Sequence, residues 1–160
     1  ISKLIVKKLF GTVTGKKISI LGFAFKANTN DTRESAAITI CKDLIEEGAL
    51  LSIHDPKVDH NQIEKDLGII SISTCENKLE DESYKNKGGW TYAPSANASL
   101  TGADASIILT EWKEYENIDW HMANKIMRSP SWIFDARSIL ITNNVKNAGL
   151  NLWRIGDGSN

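Results

Sequence analysis

The sequence predicts an α/β fold: one domain in three layers, with helices on both faces of a mostly parallel, Rossmann-like sheet. Two observations predict it. Short apolar runs rich in β-formers alternate with segments of helical period, the pattern of a parallel sheet built from crossover units. The 160 residues, 41% hydrophobic and 24% charged, are enough for one core without metal or disulfide support.

Ile1, Leu4, Ile5 and Leu9 share one helical face, so the opening segment is expected to be the end of a helix. Its start at Ile1 rather than Met predicts a piece of a longer protein, with residues 1–15 as the tail of a linking helix and residues 16–160 as the domain proper. Lys17-Ile18-Ser19-Ile20-Leu21-Gly22-Phe23 is short and apolar, as a strand buried on both faces must be. From about Asp31 a helix is expected. Asp31 and Glu34 have capping-box spacing, and Ala37, Ile40, Cys41, Leu44 and Ile45 follow at helical intervals until Gly48. Leu50 to His54 is the returning strand, and Asp55-Pro56 turns the chain. Residues 59–67 have the pattern of a short helix, and Ile69 to Ile72 that of a further strand. The charged, weakly periodic stretch from Glu76 to Gly89 is expected to be a loop or insertion, and residues 76–98 match no motif.

Strands are expected at Trp90–Tyr92, Ala105–Thr110, Ser131–Phe134 and Leu150–Arg154, with helices at Ser95–Leu100, Trp120–Met127 and Asn143–Ala148.

Composition excludes several functions. A formal net charge of -1 gives no field that favours nucleic acid or an anionic membrane, so any anion site must be local. No apolar run is long enough for a membrane span, and a cytoplasmic setting is expected. Cys41 and Cys75 form no disulfide framework or zinc knuckle, and His54, His60 and His121 share no ligand spacing. No metal site is predicted.

Ligands of parallel α/β sheets bind beyond the carboxyl ends of the strands. Those ends carry Phe25, Lys26 and Arg33 after the first strand, Thr110-Glu111-Trp112 after the Ala105 strand, and Asp135-Ala136-Arg137 after the Ser131 strand. The first loop lacks G-x-G-x-x-G. Gly22 stands alone, followed by bulky Phe23 and Phe25, which argues against ordinary dinucleotide binding there. A phosphate is the expected ligand, because Lys26 lies on a loop leading into a helix N-terminus and Arg137 offers a planar guanidinium. The competing reading makes Lys26 and Arg137 solvated surface charges, pairs Arg33 with Asp31 or Glu34, and packs Phe23, Trp112, Trp132 and Trp153 into the core or its rim.

The segment Gly22-Phe23-Ala24-Phe25-Lys26-Ala27-Asn28-Thr29-Asn30-Asp31-Thr32-Arg33-Glu34-Ser35 resembles the opening of the C-terminal, UDP-binding domain in the UDP-glucose/GDP-mannose dehydrogenase family. The resemblance continues through His54-Asp55-Pro56-Lys57, Ala103-Asp104-Ala105, Thr110-Glu111-Trp112 and Phe134-Asp135-Ala136-Arg137, and covers nearly all of the chain from Lys16 onward. Thr110-Glu111-Trp112 favours the UDP-glucose branch. Ala136 stands where many relatives have glycine.

That resemblance implies an NAD-dependent enzyme that takes UDP-glucose through aldehyde to UDP-glucuronate in two oxidations. It implies that Phe25 and Lys26 contact the nucleotide-sugar, that Arg137 holds its UDP portion, and that Arg33 reaches NAD bound on an N-terminal domain of the same protein. The nucleophilic cysteine and the NAD fingerprint belong to that other part, so no catalytic residue is expected here and the fragment alone should be inactive. The full-length protein is expected to be a homo-oligomer. Alternatives are the same domain of a GDP-mannose or UDP-N-acetylhexosamine dehydrogenase, or a free-standing α/β binding module. A receiver-like module would need clustered acids at the first strand end, which Lys17-Ile18-Ser19-Ile20 lacks.

Overall fold

A computed structural model describes residues 1–72, 87–156 and 158. Its elements run α1 (Ser2–Lys8), β1 (Lys17–Leu21), α2 (Ala36–Glu46), β2 (Leu50–His54), α3 (His60–Leu67), β3 (Gly89–Tyr92), α4 (Ala96–Leu100), β4 (Ala105–Ile108), α5 (Lys113–Glu116), α6 (Trp120–Ile126), β5 (Trp132–Asp135), α7 (Thr142–Asn147) and β6 (Asn151–Arg154). The six strands form one sheet in the order β3-β2-β1-β4-β5-β6, and every neighbouring pair is parallel. The predicted fold class is the observed one.

Topology follows from handedness. From β1 the chain steps outward through β2 to β3, then returns past β1 to β4 and continues to β6. Right-handed crossovers place helices of the outward run on one face and those of the return run on the other. Packing agrees: α1 and α3 both touch α2, whereas α4 and α7 both touch α6. The direction reverses between β1 and β4, the switch point beyond whose carboxyl ends such sheets bind ligands.

The central strands are apolar because helices cover both faces. Ile18, Ile20, Leu51, Ile53, Ile107, Ile108, Ile133 and Phe134 are buried. The exception is a row of serines in register, Ser52, Ser19 and Ser106, across β2, β1 and β4. Ser19 and Ser99 of α4 share a 2.6 Å hydrogen bond, and the Ser99 hydroxyl donates to the Ser52 carbonyl at 2.6 Å. The Ser106 hydroxyl, fully buried, has no partner among the described residues.

Three elements differ from expectation. The helix expected from Asp31 begins at Ala36, because Ser35 is its N-cap, accepting from the Ala37 amide. Asp31 instead turns back onto Arg33, and Glu34 adopts φ 61°, a conformation no helix tolerates. Ile69 to Ile72 forms no strand; the sheet edge beside β2 is taken by β3, and the Ile69 carbonyl accepts from the Trp90 indole at 2.8 Å. Lys113–Glu116 forms a short helix that periodicity alone did not predict. Of the expected loop over Glu76–Gly89, residues 76–86 lie outside the described residues, as does Cys75, and Gly89 opens β3.

Candidate nucleotide site at the switch crevice

Three loops meet at the carboxyl edge of β1, β4 and β5, and two buried acids, Asp55 and Asp135, hold them in shape. The first loop leaves β1 through Gly22, whose φ of 95° suits glycine and whose Cβ would lie 2.4 Å from Thr110 Cβ. No larger residue lets the β1 and β4 loops approach so closely. Asp55, at the end of β2 and only 2% exposed, then collects five N–H groups. Its Oδ2 accepts from the Phe23 amide at 2.7 Å, the Ala24 amide at 2.9 Å and the Trp112 indole at 3.1 Å. Its Oδ1 accepts from the Lys57 and Val58 amides at 2.9 and 3.0 Å. One carboxylate therefore pins the start of the β1 loop, its own turn and the β4 loop together.

Beyond that anchor the chain folds into a tight excursion. The Phe25 amide donates to the Asp31 carbonyl at 2.8 Å, which leaves Phe25, half exposed, and Lys26, exposed, at the tip. The expected anion seat at the helix N-terminus is largely closed. Ser35, buried, caps the Ala37 amide while its hydroxyl donates to the Phe23 carbonyl at 2.7 Å.

The β4 loop alternates inward and outward. Thr110 is buried, its hydroxyl donating to the Ala24 carbonyl at 2.7 Å, and Trp112 is buried against Asp55. Tyr115, also buried, donates its hydroxyl to the His54 carbonyl at 3.1 Å and sits 3.1 Å from His54 Nδ1. With both flanking side chains fixed inward, Glu111 stands between them at the surface, 35% exposed. Its Oε2 takes the Arg137 guanidinium, with Arg137 Nε at 2.7 Å and Nη2 also in contact, and its Oε1 accepts from the Ala27 amide at 3.4 Å. Burial works to raise the Glu111 pKa, but hydrogen bonds from its own amide, Arg137 and Ala27 outweigh it and hold the carboxyl below the usual range.

The β5 loop has its own buried acid. Asp135, fully buried, accepts from the Arg137 amide at 3.1 Å and the Leu140 amide at 2.9 Å, which fixes the turn that carries Arg137 outward. Ala136 fits that turn, so the departure from glycine leaves Arg137 presented.

Glu111 thus joins Arg137 and, at Ala27, the loop that carries Phe25 and Lys26 into one cluster at the sheet edge. Arg33 is not part of that cluster. It is 87% exposed and clamped side-on by Asp31, with Nε–Oδ1 at 3.0 Å and Nη2–Oδ2 at 2.7 Å. The Arg33 hydrogen bonds hold the Asp31 carboxyl down to about 2. Phe23 and Trp112 are core residues, and Trp132 and Trp153 are partly buried at its rim. Cys41 is fully buried in apolar surroundings that push its thiol pKa up, so it is no nucleophile. A separate shallow cavity of about 260 Å³ lies between Asn30, Lys57, Asp59, Gln62 and Lys65. Among the described residues no helix is long and apolar enough to cross a membrane.

Sequence reasoning missed Asp55 and Glu111 as the organising groups. The available signals were an acid directly after a buried strand, read only as a turn before proline, and an acid between two residues that both bury.

The sequence profile of the UDP-glucose/GDP-mannose dehydrogenase family, UDP binding domain, matches residues 19–142. UDP-glucose 6-dehydrogenase of Drosophila melanogaster is 39% identical over 155 residues, covering 97% of this chain and 31% of the relative. The enzyme of that name from Pongo abelii is 41% identical over 154 residues, covering 95% of this chain and 30% of its own length. The chain spans about a third of the curated relatives it matches. Among solved structures, a UDP-glucose dehydrogenase from Pyrobaculum islandicum superposes with a TM-score of 0.63 at 24% identity, covering 95% of this chain and 28% of that one. An NDP-N-acetyl-D-galactosaminuronic acid dehydrogenase from Methanosarcina mazei gives 0.70 at 19% identity, covering 96% and 27%. These two likenesses concern the fold alone.

Proposed function

The chain belongs to the UDP-glucose/GDP-mannose dehydrogenase family, and from that premise we propose that it forms the nucleotide-sugar wall of an NAD-dependent dehydrogenase acting on UDP-glucose. Residues 1–15 are the tail of a linking helix and residues 16–160 the UDP-sugar-binding domain. The observation that carries this reading is the pair of cationic strand-end loops, Lys26 after β1 and Arg137 after β5, joined through Glu111 at the β1/β4 switch point.

Each residue does a physical task. Lys26 supplies a point charge and Arg137 a planar fork for the two phosphates, and such contacts strengthen when a cleft closes and excludes water. Phe25 offers an exposed ring for the base or sugar to pack against. The β1 loop has one glycine followed by a buried phenylalanine, so it builds no glycine-rich pyrophosphate turn, and the NAD that accepts hydride sits on the other wall. Arg33, exposed and held in orientation by Asp31, is the group of this chain that reaches it. The reaction is the oxidation of the UDP-glucose alcohol through aldehyde to UDP-glucuronate, consuming two NAD⁺ and one water. This chain binds and orients, and alone it turns nothing over. The full-length protein is a cytoplasmic homo-oligomer.

The substrate assignment follows the curated relatives, whose names specify UDP-glucose. Steady-state turnover by the full-length enzyme of UDP-glucose, GDP-mannose and a UDP-N-acetylhexosamine tests it. UDP-glucose should give the highest kcat/KM; a higher value for either other sugar contradicts the assignment. In the same assay Arg33→Ala should raise KM for NAD more than KM for UDP-glucose, and the opposite ranking removes its role.

A further inference from the structure

An acid beside a diphosphate site is unexpected on charge alone, since a carboxylate repels the ligand that Lys26 and Arg137 attract. We propose that Glu111 is a positioning residue, which holds the Arg137 guanidinium by its side edge so that the end edge is presented to the diphosphate of the bound nucleotide. This inference rests on the UDP site proposed above and deepens it.

The geometry of the fork carries the argument. A guanidinium has five N–H groups in one plane. Glu111 Oε2 engages Nε and Nη2, the side edge. That leaves three hydrogens, of which one on Nη1 and one on Nη2 lie parallel on the end edge, a bidentate face that matches two phosphate oxygens. Arg137 is 38% exposed, and without a partner its long side chain would be spread over many rotamers.

Glu111 also ties the two cationic loops to each other. Its second oxygen takes the Ala27 amide, next to Lys26, so one carboxylate sets the spacing between Lys26 and Arg137 across β4. The backbone that carries Glu111 is pinned on both sides, Thr110 bonded to Ala24 and Trp112 to Asp55. A merely solvated glutamate needs no such flanking bonds, and a merely repulsive one would be poorly placed here.

The sign of one substitution separates positioning from simple charge. Coulomb repulsion predicts that removing Glu111 tightens UDP binding; positioning predicts that it weakens it. The experiment is calorimetric titration of UDP into the full-length protein as wild type, Glu111→Ala, Glu111→Gln, Arg137→Ala and the Glu111→Ala/Arg137→Ala double variant. Glu111→Ala should weaken UDP about tenfold, Arg137→Ala at least as much, and Glu111→Gln, which keeps an acceptor, by less than Glu111→Ala. The double variant should lose much less than the sum of the two single losses, because Glu111 acts mainly through that arginine. Unchanged or tighter binding by Glu111→Ala, or additive losses in the double variant, overturns the positioning role while the UDP site stands. If Arg137→Ala binds UDP like wild type, the UDP site falls and this inference with it.

Discussion

Replacing Asp55 by Asn tests whether the site is held by a single buried acid. The side chain keeps its shape but exchanges one acceptor oxygen for an NH₂ donor. Five N–H groups converge on the carboxylate, three on Oδ2 and two on Oδ1. Whichever way the amide turns, at least two of them face a donor. In the better orientation the oxygen keeps Phe23, Ala24 and Trp112, and the NH₂ opposes the Lys57 and Val58 amides. A hydrogen bond to a charged group contributes about 1.5–3 kcal/mol, so two losses amount to about 3–6 kcal/mol. Burial at 2% exposure leaves little room for water to compensate. Against a domain stability of about 5–15 kcal/mol the variant should be strongly destabilised. Urea unfolding followed by far-UV circular dichroism measures it, with Trp112→Phe as a companion that deletes one donor of the five and should lose less. A loss below about 1 kcal/mol for Asp55→Asn, with an unchanged m-value, would refute the hub.

Gly22→Ala should cost about 2–5 kcal/mol, combining the left-handed penalty with a Cβ driven against Thr110, and thermal unfolding checks it. Ser106→Ala should leave stability unchanged or raise it by about 1 kcal/mol, because it removes a buried hydroxyl without a partner among the described residues; a loss above about 1 kcal/mol in urea unfolding would mean that the hydroxyl is bonded. The Asp31 carboxyl should titrate at about 2 by NMR and return toward about 3.9 in Arg33→Ala. Since the folded pKa is the lower one, the stabilisation from this pair is complete above the unfolded value near 4 and is lost as pH falls through about 2.

The sheet was legible because its strands are apolar on both faces, so β1, β2, β4 and β5 stand out as short runs such as Ile18-Ser19-Ile20-Leu21 without needing alternation. The Ile69 to Ile72 run shows the limit of that signal. Four apolar or neutral residues carry no information about which run wins the sheet edge, and β3 won it with Trp90 buried against the core. The start of α2 was misplaced because the capping pattern Asp31-x-x-Glu34 is indistinguishable in sequence from an acid that turns onto its own arginine; only the positive φ at Glu34 separates them. At the site, Phe25, Lys26 and Arg137 were visible as charged or aromatic residues at strand ends. Asp55 and Glu111 were visible only as members of their motifs, and their organising role was not, since it lies in partners contributed by loops from other strands.

A crystal structure of the full-length protein with UDP bound tests the central claim most directly. The diphosphate should lie at the β1/β4 switch point, with phosphate oxygens within about 3.2 Å of Lys26 Nζ and of the Arg137 end edge that Glu111 leaves free. Diphosphate density in the cavity between Lys57 and Lys65, with Lys26 and Arg137 left in solvent, would contradict it.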